Sequence, residues 1–152
     1  NDNSIDLGDS SSRFDDIHAT NGTIQTSDQN EKQQIASMTT TEIAVAKKIS
    51  KLFKTFKFNS AVEEKNDNAR IHTGIIAQNV QQAFTDEGLD SGNYGMFISS
   101  TWWENDKGNT KEEGYTKKTR LGIRYPELLS FVSSAFEQRL TDIEARITAL
   151  EG

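Results

Sequence analysis

At 152 residues the chain can hold one domain with a modest core, and its hydrophobic share of 34% is low for a self-sufficient monomer, a shortfall that burial between chains of an assembly would make up. With no cysteine it can build neither a disulfide framework nor a thiolate zinc site, and its net charge of −6 argues against a general affinity for nucleic acid. No apolar run approaches the length of a membrane span, and the N-terminus lacks a signal-peptide pattern.

The chain begins at Asn1 without a methionine, as expected for the end piece of a longer protein. Residues 1–26 are polar and rich in Gly, Ser, Asn and Asp, with isolated apolar positions at Ile5, Leu7, Phe14, Ile17 and Ile24. Spaced in that way between turn formers, they suit short strands of a fibrous stem better than a globular core. His18 lies in this stretch and is assigned no chemical role. Asn21-Gly22-Thr23 fits a glycosylation sequon but is more simply a tight turn.

Thr39 followed by Glu42 three residues on is a capping box, and Ile43, Ala46, Ile49 and Leu52 or Phe53 then recur at helical spacing. Phe56 and Phe58 alternate with lysines, which predicts a strand. The lysines at 47, 48, 51, 54 and 57, interleaved with apolar residues, admit a nucleic-acid or acidic-partner site. The preferred reading is the wet face of a helix running into a strand.

Ile71, Thr73 and Ile75 alternate ahead of a second helix over about Ala77 to Phe84, closed off by Gly88 and Gly92. Gly74 fits a turn or close contact where a Cβ would not. Met96 to Trp103 reads as a strand, Glu104 to Gly114 as a charged hairpin loop and Tyr115 to Arg124 as the returning strand.

The last element is the longest, a helix with Pro126 near its first turn. Leu129, Phe136, Ile143 and Leu150 repeat every seven residues, with Ser133, Leu140 and Ile147 at the alternate core positions. A 3-4 repeat of this kind points to a coiled coil, and packing of the helix on its own domain is the alternative. The chain as a whole reads as α+β.

Chemistry concentrates in Thr26-Ser27-Asp28-Gln29-Asn30-Glu31-Lys32. A serine hydroxyl needs a neighbouring group to take its proton, and a lysine can do so only when neutral, which burial or nearby positive charge favours. Ser-Lys pairs are an accepted variant of the serine triad. Five residues along an α-helix rotate the chain by roughly 500°, and an odd separation on a strand puts side chains on opposite faces. Ser27 and Lys32 can therefore meet only if the segment turns between them, and Asp28, Gln29 and Asn30 are suitable turn formers. The two histidines, His18 and His72, have no carboxylate partners at a convincing metal-ligand spacing, so no metal or cofactor is expected.

Ser27-Asp28 and Lys32 followed by Ile35 resemble the entry motif of the S74 peptidase family, the C-terminal intramolecular chaperones of phage tail fibres, tailspikes and endosialidases. His72-Thr73-Gly74-Ile75-Ile76-Ala77-Gln78 resembles the family's second motif, and Leu121-Gly122-Ile123-Arg124-Tyr125 with Glu127-Leu128 its block before the C-terminal helix. Upstream, Leu7-Gly8, Ser10 to Phe14 and Thr20 to Ile24 look like the last fibre repeat before such domains. The motifs occur in the family's order across nearly the whole chain. Where the family often has Arg-Leu before the lysine, this chain has Asn30-Glu31.

The resemblance implies that Ser27 is a nucleophile, Lys32 its base and Thr26–Ser27 the bond cut in a single turnover. It admits His72 and Gln78 as assisting residues, a hydrogen-bonded structural role being the alternative. It divides the chain into residues 1–26, the end of an upstream stem, and 27–152, the chaperone and autoprotease, with 126–152 as the trimerisation helix. It also implies a homotrimer with Leu129, Phe136, Leu140, Ile143, Ile147 and Leu150 at its interface. The partner would be the fibre or tailspike domain of the same polypeptide, with no membrane, nucleic acid or small-molecule substrate. Folding would take place in the bacterial host cytoplasm, and residues 1–26 would stay on the virion. The rival reading is a non-cleaving trimeric tip, structural or receptor-binding, with Trp102, Trp103 and Tyr115 as binding aromatics.

Overall fold

The capping box forms as the sequence predicts and starts the first helix, α1 (Thr40–Ile49). In the computed structural model, which describes residues 27–104 and 115–151, the Glu42 amide donates to Thr39 Oγ1 at 3.2 Å. In return, Glu42 Oε2 accepts from the Thr39 amide at 2.6 Å. Tyr94 adds a hydrogen bond to Glu42 Oε1 at 3.0 Å, tying the cap to a distant loop.

The Thr39 amide and then its hydroxyl hold the Glu42 carboxyl below its ordinary value; burial opposes them, and the Tyr94 hydroxyl adds the smallest effect. A carboxyl depressed in the folded state contributes stability that is complete above its unfolded pKa. That contribution is lost as pH falls through the lower folded value. Thr39→Ala is therefore expected to cost roughly 1 kcal/mol at neutral pH. The gap from wild type should narrow as the solution is acidified, which urea unfolding at a series of pH values measures.

After α1 come β1 (Lys54–Phe56), α2 (Asn59–Lys65), β2 (His72–Gly74) and α3 (Ala77–Thr85). β1 and β2 pair antiparallel, with Lys54 opposite Gly74, Thr55 opposite Thr73 and Phe56 opposite His72. The expected strand through Phe58 is corrected: pairing ends at Phe56, and Phe58 instead precedes α2 as its N-cap residue. That seven-residue helix buries no side chain, so it leaves no apolar period to read. Gly88, at φ +75°, closes the turn after α3.

The strands β3 (Phe97–Glu104) and β4 (Thr116–Ile123) form a second two-stranded sheet. Thr101 and Thr119 meet through their hydroxyls at 3.2 Å, and Ile98 faces Gly122. Numbers rise on one strand as they fall on the other, so the pair is antiparallel. Residues 1–26, with His18 and the sequon, and residues 105–114, where the sequence predicts most of a hairpin loop, lie outside the described residues. The last helix, α4 (Tyr125–Glu151), carries Pro126 at its second position, where a missing N–H costs nothing.

The chain divides into two compact units, one of Asn1–Ser37 with Ser100–Arg120, the other of Met38–Ser99 with Leu121–Gly152. The second holds the core. Val45, Ala46 and Ile49 of α1, Val80, Ala83 and Phe84 of α3, and Leu128, Phe131, Val132 and Ala135 of α4 are buried together with Ile75, Met96 and Phe97. Phe84 is fully buried at the centre, its ring 4.6 Å from that of Tyr94 and 5.8 Å from that of Phe131.

The α4 core residues fall at i, i+3, i+4 and i+7, a stripe distinct from the heptad positions. Packing on its own domain and an exposed heptad face thus coexist on one helix. From Phe136 to Glu151 every residue is exposed. Lysines 47 and 48 of α1 sit on a wet face and pair with Asp142 and with Asp86 and Glu87, as the solvated reading anticipates. Such exposed pairs contribute little.

Candidate functional site

A 3₁₀ turn over Gln29–Glu31 supplies the reversal that the five-residue spacing demands. Asp28 caps it: its Oδ1 accepts from the Asn30 amide at 2.9 Å and from Asn30 Nδ2 at 3.0 Å. The Lys32 amide closes the turn on the Gln29 carbonyl at 3.1 Å. The side chains at its two ends meet as a result. Lys32 Nζ donates to Ser27 Oγ at 2.8 Å and also reaches the Ser27 carbonyl at 3.3 Å.

A nitrogen on the serine hydroxyl at hydrogen-bond distance is the geometry a general base requires. In its free-amine form the same contact would run the other way, with the hydroxyl donating to Nζ. Beyond the pair, Gln34 takes φ +54° and redirects the chain, and Ile35 lies exposed. All residues from Ser27 to Ser37 are exposed, so the single chain surrounds the pair with water. Thr26 lies outside the described residues.

His72 and Gln78 belong to the second unit, Ser27 and Lys32 to the first. His72 stands on β2 with its ring stacked on Phe56, centroids 5.9 Å apart at 23°, and edge-on to Phe58 at 4.8 Å. Gln78 is exposed in the first turn of α3. Gly74 is buried where the sequence predicts a close contact: a Cβ there would collide with Tyr125 Oη and lie 3.1 Å from the Phe56 ring.

Sequence reasoning placed Arg124 and Tyr125 in the block before the C-terminal helix but missed what they anchor. Tyr125 Oη accepts from the Ile75 amide at 3.1 Å. Arg124 donates from Nη1 to the Gly95 carbonyl at 2.6 Å, while its own amide donates to the Met96 carbonyl at 2.9 Å. Both join residues far apart in sequence, and nothing local announces them.

The six apolar residues assigned to an interface, Leu129, Phe136, Leu140, Ile143, Ile147 and Leu150, are all exposed in the single chain, from 46% at Ile143 to 87% at Leu150. On the hairpin, Trp102 is half-buried with the Arg120 guanidinium 5.0 Å from its ring, whereas Trp103 is exposed. An open cleft of about 400 Å³ beside α1 and α3 is lined by Lys48, Lys51, Asn79, Gln82 and Asp86 among others; it holds two of the interleaved lysines and none of the residues assigned to cleavage. Among the described residues no group of His, Asp and Glu side chains could hold a metal ion, and no helix is long and apolar enough to cross a membrane.

The arrangement, a small α+β unit ending in a long helix, recurs in solved structures. One is the carboxy-terminal domain of the bacteriophage T5 L-shaped tail fibre with its intramolecular chaperone domain, at TM-score 0.77 and 27% identity, covering 97% of this chain and 38% of that one. Another, described as a novel intramolecular chaperone, is 30% identical at TM-score 0.63 and covers 76% of this chain and 99% of its own. The class is thus an α+β domain shared with phage fibre chaperones.

Residues 27–89 match the peptidase S74 model, described as chaperone of endosialidase, and the chain belongs to that family. A probable tail spike protein of Klebsiella phage 0507-KN2-1 is 34% identical over 94% of this chain, which spans 13% of that protein's length.

Proposed function

We propose that the chain is the C-terminal intramolecular chaperone of a phage tail fibre or tailspike, which trimerises, assists folding of the upstream stem and then cuts itself free at Thr26–Ser27. The observation that carries the cleavage reading is Lys32 Nζ standing 2.8 Å from Ser27 Oγ across a capped turn. The family match beginning at Ser27 supports the division into a stem end over 1–26 and a chaperone over 27–152, with 126–152 as the trimerisation helix.

In this reading Lys32, as the free amine, takes the Ser27 Oγ proton while Oγ attacks the Thr26 carbonyl carbon. The Thr26–Ser27 C–N bond breaks, and the Ser27 nitrogen leaves as an amine after receiving a proton. An N-to-O shift leaves Thr26 as an ester on Oγ, which water hydrolyses to a Thr26 carboxylate and a free serine. Direct attack of water reaches the same products. His72 and Gln78 are assisting residues in this reading.

A lysine accepts a proton only as the amine, a form favoured by removal from water. Since Ser27 and Lys32 are exposed in one chain, cover from a second copy suits the chemistry. The exposed α4 stripe supplies the reason for copies to meet: its 3-4 repeat fits a trimeric coiled coil of three parallel helices. Folding of the fibre takes place in the bacterial host cytoplasm. The stem end stays on the virion and the chaperone is released.

The test is expression with a longer upstream stem, followed by a denaturing gel and N-terminal sequencing. Two bands are expected, the smaller beginning Ser27-Asp28-Gln29. A start elsewhere removes the Thr26–Ser27 assignment. A single band favours the non-cleaving tip, for which the exposed Trp103 on the hairpin is the supporting observation.

A further inference from the structure

The first turn of α4 is fastened at two places. Arg124 holds the Gly95–Met96 backbone, and Tyr125 holds the end of β2. The second fastening is the more specific. Ile75 is buried, and its amide has the Tyr125 hydroxyl as its acceptor just before α3, a helix whose N-cap residue, Ile76, makes no side-chain cap bond. The phenol lies so close over Gly74 that no side chain fits there. Gly74 in turn lies against Phe56, and Phe56 is both the register partner of His72 and the ring on which His72 stacks. Tyr125, Gly74, Phe56 and His72 thus form a continuous run of contacts from the base of α4 to the imidazole.

We propose that Tyr125 is a positioning residue: by pinning Gly74 and Ile75 it sets where β2 presents His72, so that the seating of α4 is felt at the histidine. This deepens the self-cleavage reading and rests on His72 assisting there. The hydroxyl is the active part. A phenylalanine would keep most of the packing and remove both the acceptor for the Ile75 amide and the oxygen over Gly74. Loss of one such bond at a buried amide leaves the donor unpaired, which loosens the strand end.

The experiment uses the full 152-residue chain, in which only two histidines need distinguishing. In a Ser27→Ala background, which keeps the chain intact, Tyr125→Phe is expected to speed Ile75 amide exchange roughly tenfold and to move the His72 ring resonance, with the oligomeric state unchanged by sedimentation. In the cleavage-competent chain the same substitution should slow self-cleavage by about tenfold. Phe56→Leu, which removes the ring on which the imidazole stacks and keeps the Tyr125 hydroxyl, should move the same resonance and slow cleavage too.

Faster Ile75 exchange with an unmoved His72 resonance and a normal cleavage rate would make Tyr125 a stability residue only and overturn the proposal. So would a moved resonance with normal cleavage in both variants. If Tyr125→Phe does not fold, Phe56→Leu decides on the same two readouts. If the wild-type chain itself does not cleave, the self-cleavage reading falls. The His72 resonance in Tyr125→Phe then decides the positioning role alone, supporting it if moved and overturning it if not.

Discussion

Ser27→Ala is expected to abolish cleavage and to leave a trimer of uncut chains. The substitution removes the nucleophilic oxygen from an exposed turn and takes almost nothing from the core, since neither Ser27 nor Lys32 is among its buried residues. Lys32→Ala keeps the nucleophile and deletes the nitrogen 2.8 Å from it, so the rate is expected to fall by roughly 10³-fold or more. Lys32→Arg is the sharper probe. It preserves charge and reach, but a guanidinium does not give up its proton, so a base role predicts the same loss as alanine. Intact-mass spectrometry after a fixed time reads all three, and a normally processed Ser27→Ala chain would put the chemistry elsewhere.

What could be read from the sequence was governed by how local each interaction is. The Thr39–Glu42 box spans three residues and shows both partners in one window, so the start of α1 was legible to the residue. The need for a turn between Ser27 and Lys32 followed from backbone geometry alone, and Asp28 capping the 3₁₀ turn is how the chain meets it. By contrast, α2 buries nothing and follows the alternating Lys-Phe pattern, so the strand signal overran into it. On α4 the seven-residue repeat was legible, but it masked the second stripe of Leu128, Phe131, Val132 and Ala135, which serves the domain's own core. The requirement for glycine at position 74 could be anticipated, whereas its cause, a tyrosine fifty residues away, could not.

The two stripes divide the labour of α4 in a way that bears on assembly. A trimeric stem has mostly non-local contacts between chains, so its folding must overcome a large loop-closure cost. A domain that trimerises first raises the effective concentration of the stem strands and offsets part of that cost. In the proposed reading, cleavage would then remove the helper, and unfolding would be slowed because the assisted route back would no longer exist. The first turns of α4 belong to the fold of one chain, through Leu128 to Ala135. From Phe136 to Glu151 the helix is exposed in the single chain, its apolar residues included.

That portion is where assembly can be broken without unfolding the domain. Leu140 and Ile143 occupy the two alternate core positions of the repeat and are 56% and 46% exposed in the single chain, so aspartates there cost the isolated domain little. In a trimer, each aspartate would face its symmetry mates in a desolvated seam, at a cost of several kcal/mol for each ion that stays charged. Leu140→Asp with Ile143→Asp is therefore expected to convert the trimer to monomers at micromolar concentration, while the circular dichroism of α1 and α3 and the core around Phe84 persist. Cleavage should fall with assembly, because water then reaches Ser27 and Lys32 from all sides, and the attached stem should misfold. Sedimentation reports the first effect and a denaturing gel the second. A double variant that remains trimeric would remove the coiled coil as the assembly device. A monomer that still cuts at the normal rate would separate the two activities, leaving the Ser27–Lys32 pair competent on its own and the helix to serve only in holding three fibre chains together.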